Sequence, residues 1–213
     1  MTQASPSGTA SALASSASAL ISRAEMGSRL RAARKAAKLT LKTLSGRSGV
    51  ALSTLSKMEL GQVAISFEKF AAVAKALDLD ISRLFDATAS SAAPAPIFVR
   101  NSIADVPVYI GDHYQYKMLA GDYPGKQMRP MHGRVLARKL DEFPQFGRHP
   151  GQEFLMVLSG VVQVCFETGE SVVLQPSESI YFDSGVGHVY LSQGEVDAEV
   201  IILMYGGLSQ TQV

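Results

Sequence analysis

A chain of 213 residues with 46% hydrophobic and 18% charged residues has the composition of a globular protein and room for two ordinary domains. It contains no run of about 18 consecutive apolar residues, which excludes a membrane-spanning helix. Its one cysteine, Cys165, excludes an internal disulfide and a cysteine-cluster metal site and suits a cytoplasmic setting. The net charge of +1 is unevenly spread: nine basic and two acidic residues between Arg23 and Glu59 give that stretch +7, leaving −6 for the rest. A small basic unit joined to a larger acidic body suits a polyanion-binding head on a module with another task.

Residues 1–24 are rich in Ser and Ala and carry no charge before Arg23. They lack the basic start and apolar stretch of a secretory signal, and a disordered tail is expected. Residues 25–85 read as short helices. Met26, Leu30, Ala33 and Ala37 recur at helical spacing. Thr40 can cap a helix that starts at Leu41 and stops at Gly49. Ser53 opens a second short helix that ends near Leu60 and Gly61. Phe67, Phe70, Ala74 and Leu77 define another, and Ile81, Leu84 and Phe85 a last short one. Five helices are expected in all.

The Ala/Ser/Pro run 86–96 (DATASSAAPAP) reads as a linker. From residue 97 to 213 the pattern changes to period two. Strands are expected over 154–158, 162–167, 172–175, 180–182 and 199–205, with a hairpin turn at Glu167-Thr168-Gly169-Glu170. Short strands at close spacing without helical intervals imply an antiparallel sandwich or barrel. The expected fold is therefore α+β in two domains, a five-helix bundle followed by an antiparallel β-barrel.

Two short helices joined by a tight glycine turn inside a basic bundle make a helix-turn-helix candidate. The second helix exposes the compact residues Ala51, Leu52, Ser53, Thr54 and Ser56, which let the backbone approach bases closely, while Leu55 and Met58 point inward. The run LTLKTLSGRSGVALSTLSKMELGQ, followed by FEKFAAVAKALDLDISRLF, resembles the XRE (phage-repressor-like) helix-turn-helix family. That resemblance implies that Leu52, Ser53 and Lys57 face bases, that Thr40, Lys42 and Thr43 lie near phosphates, and that Arg34 and Glu59 form an ion pair joining the first helix to the reading helix. Leu41 stands where many relatives carry a phosphate-contacting Gln. Lys57 reads either as a donor to guanine O6 or N7 or as a phosphate contact.

In the second region, His149-Pro150-Gly151-Gln152-Glu153-Phe154, Gly160, Pro176-Ser177-Glu178-Ser179 and His188 resemble the two motifs of the cupin (jelly-roll) fold. The resemblance places four metal-ligand positions at Gly147, His149, Glu153 and His188, of which the first lacks its imidazole. Two imidazoles and one carboxylate make the ligand set of a non-haem iron facial triad. One divalent metal (Fe, Zn, Mn or Ni) held by His149, Glu153 and His188 is one reading. The same residues orienting an organic effector without metal is the other. Tyr116, Tyr181 and the inward-facing candidate Arg138 are expected to contact an effector. Tyr109, Tyr114 and Tyr190 belong to the same tyrosine-rich region, and His113 and His132 fall outside the motifs.

Together these readings imply a cytoplasmic transcription regulator: a homodimer on a palindromic operator in double-stranded DNA, with a small-molecule effector bound in the barrel and no enzymatic activity. The alternative is a non-haem iron enzyme. Hydroxypropylphosphonic acid epoxidase joins the same two kinds of domain, and its iron site has a His, a Glu four residues later and a distant His, the order of His149, Glu153 and His188. The basic density of the first domain favours the regulator.

Overall fold

The computed structural model describes residues 20–79, 82–85 and 96–206. Residues 1–19 of the expected tail lie outside the described residues, and residues 20–24 are already part of the fold. Leu20–Ile21 form a short strand, β1, and Ser22 caps the first helix, α1 (Arg23–Ala36), its hydroxyl accepting the Glu25 N–H at 3.1 Å. Met26 and Leu30, one turn apart, bury one face of α1. In α2 (Leu41–Ser48) the Thr40 hydroxyl accepts the Thr43 N–H at 3.0 Å, and Gly49 ends the helix at φ 72°, in the left-handed region that an L side chain resists. The next helix, α3 (Leu52–Glu59), starts one residue before Ser53 and has no side-chain cap. Its first turn therefore leaves backbone N–H groups for an outside partner.

Helix α4 (Phe67–Ala76) buries Phe67, Phe70, Val73 and Ala74. After it only a single helical turn, Ser82–Phe85, remains. Among the described residues the bundle thus has four full helices, and the expected fifth is reduced to this one turn. Asp78, at φ 55°, breaks the chain away from helical geometry, and Arg29 Nη1 closes the last turn by donating to the Leu84 and Phe85 carbonyls at 3.1 and 2.6 Å.

The second domain is built from β2 (Val108–Ile110), β3 (Tyr114–Met118), β4 (Met128–Val135), β5 (Gln152–Ser159), β6 (Val161–Phe166), β7 (Ser171–Leu174), β8 (Ser179–Asp183), β9 (His188–Gln193) and β10 (Ala198–Tyr205). The strands form a seven-stranded sheet, β1-β2-β3-β4-β10-β5-β8, and a three-stranded sheet, β7-β6-β9. The expected barrel is not closed. The two sheets are separate ladders among the described residues, and side chains from both inner faces fill one core. The period-two reading located β5, β6, β7, β8 and β10 but not β2, β3, β4 or β9. In β9 five consecutive residues are buried, so no alternation is visible there.

One continuous core runs from the bundle into the sandwich. Strand β1 pairs in parallel with β2. The buried Tyr109 of β2 packs edge-on against Phe70 of α4 at 5.3 Å, and its hydroxyl accepts the Ile65 N–H at 2.8 Å. Arg23 pairs with Asp112 at 2.7 Å. Most of the expected linker, residues 86–95, lies outside the described residues.

Candidate nucleic-acid interface and candidate metal centre

Helix α3 has a locked side and an open side. Leu55, Met58 and Glu59 are buried. Arg34 of α1 fastens them: its Nε and Nη2 donate to the two Glu59 carboxylate oxygens at 2.6 and 2.8 Å, and its Nη1 donates to the Leu39 carbonyl at 2.8 Å. A planar fork meeting a carboxylate in this way fixes angle as well as distance. On the other side Ala51, Leu52, Ser53 and Lys57 are exposed, with Thr54 and Ser56 half-buried between them. At the start of α2, Thr40, Lys42 and Thr43 are exposed too, although the Thr40 hydroxyl is already engaged by Thr43.

Inside the sandwich, β5 alternates Glu153, Leu155 and Val157 into the core, so a carboxylate occupies the first position of an otherwise apolar row. A charge buried there is costly unless it is paired. Glu153 has three partners. His149, just before β5, places Nε2 at 2.9 Å from Oε2; His188, the first residue of β9 on the other sheet, places Nε2 at 3.6 Å from the same oxygen; and the Tyr190 hydroxyl donates to Oε1. Burial alone would raise the Glu153 carboxyl, but the hydrogen bonds from His149 and His188 outweigh it and hold the group at about 2. Burial likewise opposes the His188 imidazolium, and Glu153 overcomes it, so His188 is raised above its ordinary 6.5. His188 Nδ1 lies 2.8 Å from the Val186 carbonyl, which fixes a proton there and leaves Nε2 as the ligating nitrogen.

The donor atoms of His149, Glu153 and His188 lie within 4.8 Å of one another. Two imidazole nitrogens converging on one carboxylate oxygen, with His188 held by the Val186 carbonyl and Glu153 by the Tyr190 hydroxyl, fit a divalent cation with positions left open. The chamber around them is about 30 Å3, the share of a single water molecule in the liquid, and it is walled by Tyr114, Tyr116 and Tyr190. Tyr116, one of the expected effector contacts, lines this chamber.

Two other expected effector contacts are elsewhere. Arg138 turns to the loop before β10, where it pairs with Asp197 at 2.6 Å and donates to the Gly194 and Glu195 carbonyls. Tyr181 is on the outer face, 63% exposed, bonded to Gln152. The register explains the latter: Tyr181 pairs with the outward Phe154, whereas Phe182 pairs with the inward Glu153. His132 faces Glu199 at 3.6 Å, and His113 stacks on Phe143 at 4.2 Å, both away from the triad.

The sequence reading missed the contribution of the helical domain. Phe67 and Glu68, the first two residues of α4, line the triad chamber. Phe67 meets the His149 ring edge-on at 5.6 Å. Glu68 also lines two larger clefts, one of about 530 Å3 that includes Arg47, Lys75 and Arg129, and one of about 680 Å3 that includes Lys69, His113 and Tyr114. In sequence Phe67 looks like an ordinary residue of a helical apolar stripe, and Glu68 like an acid favoured in a first helical turn.

The chain matches the helix-turn-helix family over residues 30–84 and the cupin domain family over residues 141–204. A crystal structure of an HTH_3 family transcriptional regulator from Vibrio cholerae is similar at 20% identity, covering 86% of this chain and 97% of that one, with a TM-score of 0.59. Hydroxypropylphosphonic acid epoxidase from S. wedmorenis is similar at 20% identity over 87% of this chain and 99% of that one, with a TM-score of 0.46. At 20% identity the likeness to the regulator concerns the fold alone. No curated protein sequence matches. No helix among the described residues is long and apolar enough to cross a membrane.

Proposed function

For a chain that joins an XRE-type helix-turn-helix domain to a cupin domain, we propose the function of a sequence-specific DNA-binding transcription regulator whose DNA affinity responds to what the cupin chamber holds. The observation that carries this reading is the two-sidedness of α3. Its inner face is pinned by the Arg34–Glu59 fork, and its outer face, Ala51, Leu52, Ser53 and Lys57, is open within a stretch of net charge +7. Compact residues on an exposed first turn let that turn enter a major groove, while Lys42, Thr40 and Thr43 meet the flanking phosphates. A homodimer would present two such helices about 34 Å apart to a palindromic operator. The test is a gel shift with the DNA upstream of the protein's own gene at two salt concentrations. Steep salt dependence with a retained preference over scrambled DNA is expected. Loss of that preference at both concentrations removes the reading.

In the chamber, His149, Glu153 and His188 would hold one divalent cation. When bound, that ion offers Lewis-acid coordination to a donor atom of a small effector. The chain's own groups do the rest: Val186 and Tyr190 orient the ligand atoms, and Phe67 shields His149 from water. A chamber of about 30 Å3 admits an ion or a water but no organic molecule, so an organic effector would approach from the clefts on either side of Glu68. Elemental analysis of protein purified without added metal identifies the ion.

The triad also suits an iron-dependent oxidation, and the convergence of its donor atoms favours considering it. Oxygen consumption on adding Fe(II) with small phosphonates or hydroxy acids would support that second reading.

A further inference from the structure

The cupin resemblance expects an imidazole at position 147, and the chain has Gly147. The structure gives this gap an occupant. A Cβ built on Gly147 would lie 2.1 Å from Glu68 Oε1 and 2.9 Å from Glu68 Cδ. The side chain of a residue on α4, in the other domain, therefore fills the space that a side chain at 147 would need. Among the described residues Glu68 makes no ion pair and accepts no hydrogen bond, although it is half-buried and faces a chamber that already contains the Glu153 carboxylate. Two carboxylates facing one small chamber favour positive charge there, whether on the His188 imidazole or on a bound cation. Glu68 is outside the 4.8 Å group formed by the three triad donors, so it closes the mouth of the site rather than belonging to the ligand set.

We propose that Glu68 makes the triad a two-domain site, through which a divalent cation in the chamber clamps α4, and with it the DNA-reading head, onto the cupin domain. The inference rests on the reading of the triad as a cation centre and adds the route by which occupancy reaches DNA. Helix α4 packs on α2, and α2 on α3, so the seat of α4 sets where the reading helix points. Coupling of this kind is reciprocal: if seating α4 helps to hold the cation, the cation helps to seat α4. Phe67 supplies the apolar half of the same contact, against His149. A carboxylate in the first turn of an outward helix face would favour the helix dipole equally well. Burial against the chamber serves no such purpose, and Gly147 is what leaves room for it.

The test uses the full-length protein and Co(II), whose visible spectrum reports coordination. Affinity is read by titration calorimetry, and amide hydrogen exchange is followed in α4. In the wild type, Co(II) is expected to bind and to slow exchange across α4. Glu68→Gln removes one negative charge from the mouth of the site and is expected to weaken Co(II) by about tenfold, on the order of 1.4 kcal/mol of lost attraction, and to abolish the protection of α4. Gly147→His has the opposite effect on binding: a third imidazole keeps or tightens Co(II), yet it pushes Glu68 out, so α4 stays unprotected. Protection of α4 that persists in both variants would overturn the coupling through Glu68 while leaving the cation centre intact. No Co(II) binding by the wild type would overturn the cation centre itself, and the inference with it.

Discussion

At the scale of single residues, two carboxylates among the described residues are buried deeply enough for their partners to decide whether the fold tolerates them. Glu59 is 8% exposed and paired with Arg34. Arg34→Ala leaves that carboxylate buried and unpaired, and a loss of about 3–5 kcal/mol in urea unfolding is expected. A loss below 1 kcal/mol would mean that water reaches Glu59. Against the effect of burial, His149 and His188 hold the Glu153 carboxyl at about 2, so it is ionised near neutral pH and the pH dependence of cation binding is expected from His188. His188 must lose its proton to ligate, and its folded value is raised above 6.5. Co(II) affinity is therefore expected to fall as pH is lowered, with the decline beginning above pH 6.5. A flat affinity profile from about pH 8 to pH 6 would place the ion elsewhere. Lys57 is exposed at the open side of α3. If it reads a guanine, Lys57→Ala costs about 1–3 kcal/mol for the specific site and less for random DNA. Equal losses would assign it to a phosphate.

At the scale of elements, the junction between bundle and sandwich matters most. The Tyr109 hydroxyl satisfies the buried Ile65 N–H just before α4, and the ring stacks edge-on against Phe70 and Phe85. Tyr109→Phe keeps the ring and deletes only the acceptor. An unpaired buried N–H costs about 1–3 kcal/mol, so lower stability and faster amide exchange at Ile65 are expected. Unchanged exchange there would show that water replaces the hydroxyl. The elements themselves were legible to different degrees. Helices α2 and α4 announce themselves through Thr40, Gly49 and the Phe67–Phe70–Ala74 spacing, because caps and stripes are local. Strand β9 does not: both its faces are covered, and continuous burial erases the period-two signal.

At the scale of the whole molecule, a monomer offers one reading helix, and a palindromic operator needs two. Sedimentation is expected to give a dimer, and half-sites about one helical turn apart should bind best. A monomer that binds a single half-site with full affinity would remove the palindrome from the proposal. The position of α4 also makes the two domains one mechanical unit. On the proposed reading, a ligand in either cleft beside Glu68 would press on the helix that supports α2 and α3, and its occupancy would reach the proposed DNA face through packed elements.

The order of residues along the chain was enough to specify the basic head and the caps and apolar stripes of its helices, because these depend on local spacing, whereas the Arg34–Glu59 partnership and the His149–Glu153–His188 set came from the resemblance to two families. Tertiary structure decided the two open sheets in place of a closed barrel, the outward turn of Tyr181 and Arg138, and the entry of Phe67 and Glu68 into the chamber. The physical reason is the same in each case. Which face a strand residue takes depends on the register with its neighbours, and which residue fills the space beside Gly147 depends on how two separately coded domains dock, and neither is written in any one stretch of sequence.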